Sequence, residues 1–123
     1  MTNRLTIAVI DNDESIRTAL RRLLQASGYS VTTFASAEAF LQETVADGPD
    51  CLLLDMRLGG TTGLQLQQIL LNADRSIPTV FLTSQQDHLS RQSAMQAGAF
   101  DVLRKPIDAE ILLDSIHHAL NHT

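Results

Sequence analysis

Residues 51–54 of this chain, Cys-Leu-Leu-Leu, leave little choice of fold. A strand with one face in water alternates apolar and polar residues. An unbroken apolar run therefore reads as a strand covered on both faces, as parallel sheets flanked by helices provide. The run stops at Asp55, and Gly59 and Gly60 break the chain soon after. A carboxylate there marks the C-terminal end of a central strand, the edge at which open α/β sheets carry their chemistry. A plain turn-forming or helix-capping aspartate is the competing reading of these residues alone.

The rest of the chain supplies the partners such a strand needs. Residues 5–10 (Leu-Thr-Ile-Ala-Val-Ile) read as a strand ending at Asp11-Asn12-Asp13-Glu14. Ile16, Leu20, Leu23 and Leu24 then recur at helical spacing up to a stop at Gly28, with Asp13 and Glu14 in the first turn. Residues 29–34 form a second strand, and Ser36 caps a helix carrying Ala37, Phe40, Leu41 and Val45. Asp47-Gly48-Pro49-Asp50 is a loop into the central strand. Thr62-Gly63-Leu64-Gln65 resembles a capping box, with Leu66, Ile69, Leu70 and Ala73 as the inward stripe.

Residues 77–83 make a fourth strand, with Pro78 near its start where a lost donor is tolerable. A helix from about Asp87 to Gln96 ends at Ala97-Gly98, and residues 100–103 form a fifth strand. Arg104-Lys105-Pro106 leads to a helix capped by Asp108, with Ile111, Leu112, Ile116 and Ala119 inward. Strand and helix thus alternate five times at a spacing of roughly 20–25 residues, which predicts right-handed βαβ units in a doubly wound α/β sandwich.

Composition narrows the function. The 123 residues suit one domain, 1–123, and aromatics at 4% with no Trp require an aliphatic core. A net charge of −5 offers no basic face for nucleic acid, and Arg17, Arg21 and Arg22 read as a solvated helix face. The single Cys51 excludes an internal disulfide and reads as packing. No run is long enough to span a membrane, and the start lacks the apolar core of a signal peptide, so a cytoplasmic protein without membrane contact is expected.

Parallel strands in one sheet bring their C-terminal ends to one edge. Asp11, Asn12 and Asp13, then Asp55, Thr83 and Lys105 follow successive strands of this kind, and Lys105 is the only lysine in the chain. Clustered oxygen donors without His or Cys favour Mg²⁺ over zinc. Beside such an ion a carboxylate can act as nucleophile toward a phosphoryl group, giving an acyl phosphate. Lys105 would neutralise phosphoryl oxygens as a point charge, and Thr83 could donate a hydrogen bond to them.

These residues resemble the receiver domain of two-component response regulators, and are closest to the FixJ/LuxR-type receivers. The resemblance spans essentially the whole chain. It is carried by Val9-Ile10-Asp11-Asn12-Asp13-Glu14-Ser15-Ile16-Arg17, by Leu54-Asp55-Met56-Arg57, by Thr83-Ser84 and by Ala97-Gly98-Ala99-Phe100-Asp101-Val102-Leu103-Arg104-Lys105-Pro106. It implies a flavodoxin-like (βα)5 sandwich with a five-stranded parallel sheet of order 2-1-3-4-5. Asp55 would be the phosphoacceptor for a histidine kinase, Thr83 the switch hydroxyl and Lys105 the phosphate-pairing lysine, joined to Pro106 by a cis peptide. Asp11, Asn12, Asp55 and the backbone carbonyl of Arg57 would hold Mg²⁺. The face of the fourth helix, fifth strand and fifth helix, including Arg91, Gln92 and Asp101, would carry a homodimer or effector contact. A C-terminal LuxR-type DNA-binding domain would follow in a longer native chain, and the receiver itself would not bind nucleic acid.

Three positions depart from the family. Asn12 stands where an acidic metal ligand is usual, which lowers the expected Mg²⁺ affinity. Val102 occupies the aromatic switch position, with Phe100 expected two residues earlier on the same strand face. Gly59 replaces a common proline and should loosen the loop beside Asp55. His117 and His118 read as exposed rather than as ligands. Two other functions remain open at this point. One is a receiver-like interaction module that is not phosphorylated because Asn12 has removed useful metal binding. The other is a haloacid-dehalogenase-type phosphatase with Asp11 as nucleophile and Asp13 as general acid.

Overall fold

In the computed structural model, which describes residues 4–43, 48–84 and 88–121, strands and helices alternate along the chain. They are β1 (Thr6–Ile10), α1 (Glu14–Ala26), β2 (Ser30–Phe34), α2 (Ala37–Gln42), β3 (Cys51–Asp55), α3 (Gly63–Asn72), β4 (Thr79–Thr83), α4 (His88–Gln96), β5 (Asp101–Arg104) and α5 (Ala109–Asn121). The expectations placed on Val45, Asp47 and Asp87, and on the chain start at residues 1–3, lie outside the described residues. The strands form one parallel sheet of order β2-β1-β3-β4-β5. This is the flavodoxin-like arrangement.

The central strand behaves as its sequence dictates: all five residues of β3 are buried. Because successive side chains point to opposite faces, the strands feed two separate apolar layers. Ala8, Ile10, Leu52, Leu54 and Phe81 meet Phe40, Leu66, Leu70 and Ala94 on the side of α2, α3 and α4. Ile7, Val9, Cys51, Leu53, Val80 and Leu82 meet Leu20, Leu24, Leu112 and Ile116 on the side of α1 and α5. Cys51 is therefore packing, and burial pushes its thiol up to about 12. On the β2 edge the burial is incomplete, as befits a strand paired on one side only.

Helix ends follow local chemistry. Ser36 caps α2 by accepting the Ala39 N–H at 3.0 Å, and Asp108 accepts the Ile111 N–H at 3.0 Å. Thr62 and Gln65 form the expected capping box. Asp13, however, is not in the first turn of α1. It is the N-cap, with its carboxylate on the N–H groups of Ser15 and Ile16.

The inward stripes also differ in detail from the periodicity. Ile69 (41% exposed) and Ile111 (57%) face outward, as do Leu41 and Ala73. Gln67 is buried in their place on α3, bonded to the Thr79 hydroxyl at 2.9 Å and donating to the Ala97 carbonyl at 3.4 Å. Phe100 lies before β5 and packs on the α1/α5 layer, whereas Val102 joins the opposite layer. The expected shared face is lost because the strand's alternation starts only at Asp101.

Candidate functional site

Three chain segments meet at the C-terminal edge of the sheet. Asp11 follows β1, Asp55 closes β3, and Lys105 follows β5. The Lys105 ammonium lies 2.8 Å from Asp11 Oδ2 and 3.2 Å from Asp55 Oδ2, joining groups 94 and 50 residues apart in sequence. Asp11 is fully buried and Asp55 is 5% exposed, so both carboxylates need this cation. The Lys105–Pro106 peptide is cis, as the resemblance implied, and the Lys105 N–H donates to the Thr83 carbonyl at 2.7 Å.

Each carboxylate is also oriented by backbone. Asp11 Oδ1 accepts the Asp13 N–H at 2.9 Å, and Asp55 Oδ1 accepts the Arg57 N–H at 3.0 Å. Burial raises the Asp55 carboxyl above its ordinary value. The Arg57 N–H opposes that shift, the Asp11 charge adds to it, and Lys105 works against it. For Lys105, burial would lower the ammonium, but the hydrogen bond it donates to Asp11 and the charges of Asp55 and Asp11 outweigh it, leaving Lys105 raised.

Thr83 is buried at the end of β4, one residue beyond Leu82, which pairs with Asp55. Asn12 and Arg57 are exposed at the rim. The structure thus brings Asp11, Asp55 and Lys105 into direct contact and sets Thr83, Asn12 and Arg57 around them. Asp13 stands apart, since its carboxylate is committed to capping α1. The donors at this edge are oxygens, and the two buried carboxylates already share a cation in the Lys105 ammonium. Such a donor set fits a small, hard divalent ion.

Sequence reasoning missed three supporting residues. Arg17 is not merely a solvated charge: it donates to the Asp11 carbonyl at 2.7 Å, while Arg21 and Arg22 are exposed as expected. Its place six residues after Asp11, about one turn into α1, was the available signal. Gly63 packs so tightly that a Cβ there would collide with the Asp55 carbonyl, a fact no local pattern reveals. Glu38 on α2 accepts from Thr61 in the loop after Asp55, a pairing set by tertiary structure alone.

A family match narrows the readings: the response regulator receiver domain family matches residues 7–117. This chain belongs to that family. The receiver is 37% identical over 118 residues to the transcriptional regulatory protein TdiR of Thauera aromatica, covering 96% of this chain. It spans about half of that relative's own length, 52%. Among solved structures it superposes on FixJ-N with a TM-score of 0.89 at 29% identity, covering 99% of this chain and 98% of that one. With the response regulator StyR the TM-score is 0.88 at 40% identity, over 96% of this chain and 60% of StyR.

Receiver domains act as phosphorylation-dependent switches of two-component systems, not as turnover enzymes. The phosphatase reading of Asp11 and Asp13 is thereby set aside, in keeping with the capping role of Asp13. Among the described residues no helix is long and apolar enough to cross a membrane, and His117 and His118 are exposed.

Proposed function

We propose that this receiver accepts a phosphoryl group on Asp55 from a partner histidine kinase. The observation that carries the proposal is the Lys105 ammonium shared between Asp11 and Asp55. In the transfer, an Asp55 carboxylate oxygen forms a bond to phosphorus as the bond to the kinase histidine nitrogen breaks. The electron pair leaves with the imidazole, and an acyl phosphate remains. Lys105 is then the cation for the new phosphoryl oxygens, and Thr83 is the hydroxyl that donates to them. Arg57 keeps the carboxylate oriented through its N–H.

Asp11, Asn12, Asp55 and the Arg57 carbonyl would hold Mg²⁺. When bound, the ion supplies charge neutralisation for the incoming phosphoryl group. Asn12 keeps an oxygen donor but removes one negative charge, and Asp13 does not replace it because its carboxylate caps α1. A weak metal site follows.

For the output we propose the surface of α4, β5 and α5 as a homodimer or effector contact. Arg91 and Gln92 are exposed there, and Asp101 receives the Ser115 hydroxyl at 2.9 Å and lies 3.9 Å from Arg91. In a longer native chain the output would be a C-terminal LuxR-type DNA-binding domain, and the whole would act in the cytoplasm. We take residues 1–123 as one receiver unit.

The capping role of Asp13 also favours a second reading, a receiver that binds partners without being phosphorylated. Acetyl phosphate uptake across a Mg²⁺ titration, read by intact mass with Asp55→Ala alongside, separates the two. The first reading expects one phosphoryl group, dependent on Mg²⁺, lost in the mutant, and half-saturating at lower Mg²⁺ in Asn12→Asp. No uptake by the wild type, with Asn12→Asp restoring it, would establish the second.

A further inference from the structure

Between Asp55 and α3 the chain passes through Gly59-Gly60, its most pliable dipeptide. Among the described residues, a Cβ added at Gly59 would meet no atom within 4 Å. The loop is nonetheless tied, from a distant element. Glu38, in the first turn of α2, accepts both the Thr61 N–H at 3.0 Å and the Thr61 hydroxyl at 2.8 Å through one oxygen, Oε2.

The fit extends to Gly60. At φ +77° it adopts a conformation suited to glycine, and a Cβ there would approach Glu38 Oε2 to 2.8 Å. The carboxylate thus occupies room that only a glycine leaves. The bonds from Thr61 hold the Glu38 carboxyl below its ordinary value, so it is ionised at neutral pH.

On either side the loop is anchored to things that matter. Downstream, the Thr62 N–H donates to Gln65 Oε1 at 2.8 Å, and the Gln65 N–H to Thr62 Oγ1 at 3.1 Å, fixing the start of α3. Upstream, the Arg57 N–H grips Asp55 Oδ1. Between these anchors lies the glycine pair, and Glu38 is the side chain that reaches over to it.

We propose that Glu38 is a positioning residue for the Asp55 site: by holding Thr61 from α2, its carboxylate fixes the loop of residues 57–60 and keeps the Arg57 N–H on the Asp55 carboxylate. The inference rests on the reading of Asp55 as phosphoacceptor, and deepens it. Glu38 acts through Thr61 and touches neither the phosphoryl donor nor Asp55.

The test is a double-mutant cycle with Glu38→Ala, Thr61→Val and the pair together, plus Glu38→Gln as the conservative variant. Two quantities are read: the initial rate of phosphoryl uptake from acetyl phosphate at fixed Mg²⁺, and hydrogen exchange at the Arg57 amide. Glu38→Ala should slow uptake about three- to tenfold and speed Arg57 exchange by a similar factor, the scale on which loosened support degrades a site. The double variant should be no worse than Glu38→Ala, because both act through one contact. Glu38→Gln keeps an acceptor oxygen and should recover most of the rate.

Independent, additive effects of the two substitutions, or Arg57 exchange unchanged in Glu38→Ala, would overturn the proposal. If Glu38→Ala failed to fold, Thr61→Val alone, read by the same uptake rate and Arg57 exchange, would test the contact from its other side. If the wild type took up no phosphoryl group, the phosphoacceptor reading would fail on its own, and Arg57 exchange would still decide the role of Glu38.

Discussion

Replacing Lys105 by Met tests the energetic logic of the site. The change keeps an unbranched apolar stem of similar length and removes only the cation. Asp11 and Asp55, at 0% and 5% exposure, are then left facing each other without their shared partner. Removing one partner of a buried ion pair costs about 3–5 kcal/mol. Here the Lys105 side chain is 16% exposed, so water can reach the vacated place and the expected loss is about 2–3 kcal/mol near neutral pH.

The pH dependence gives the sharper signature. Asp55 already sits above its ordinary value in the folded protein. A carboxyl raised on folding adds stability below its unfolded value, about 3.9, and loses that contribution as pH rises through the folded value. Lys105 lowers the Asp55 carboxyl, so Lys105→Met drives it further up and widens this window toward neutrality. The deficit relative to wild type should therefore be largest near neutral pH and shrink on acidification, as Asp55 takes up its proton in both proteins. Urea unfolding in EDTA at several pH values measures it, with a loss in melting temperature of about 8 °C at neutral pH as a check. A variant as stable as wild type at neutral pH, or a deficit that widens on acidification, would refute the reasoning.

Other perturbations have equally definite outcomes. Gly63→Ala places a methyl group against the Asp55 carbonyl and 3.1 Å from the Met56 Cα, so urea unfolding should register a loss of about 1–3 kcal/mol. Gln67→Leu removes the buried partner of the Thr79 hydroxyl and should cost about 1–2 kcal/mol in the same assay. Cys51, fully buried with its thiol pushed up to about 12, should resist a thiol reagent near pH 8 in the native protein and react at full rate in denaturant. Rapid native labelling would contradict that burial. Arg17→Ala frees the Asp11 carbonyl, and should lower phosphoryl uptake on Asp55 severalfold while Arg21→Ala leaves it unchanged.

What the sequence made legible, and what it hid, divide along the range of the interaction responsible. The five strands were readable because period-2 and period-3.6 patterns record which faces are covered, and β3, apolar from Cys51 to Leu54, read as central; their order in the sheet came only with the family resemblance. Caps at Ser36, Thr62 and Asp108 were readable because a cap is satisfied within three residues. The same locality misplaced Asp13: an acidic residue before a helix suits either the cap or the first turn, and backbone geometry decides between them.

Exposed apolar residues such as Ile69 and Ile111 fit a helical stripe by spacing, yet they stand in solvent in the fold, where Gln67 rather than Ile69 is buried on α3. At the site, the meeting of Asp11, Asp55 and Lys105 followed from topology, since parallel strands gather their ends at one edge. The residues that hold the meeting in place did not follow. Arg17 acts through a backbone carbonyl, Gly63 through the absence of a side chain, and Glu38 through a loop 23 residues away. None of these leaves a periodic or compositional trace, because each is selected by a single distance in the folded chain. The chemistry of such a site is therefore written in its motifs, and its precision in contacts that only the fold creates.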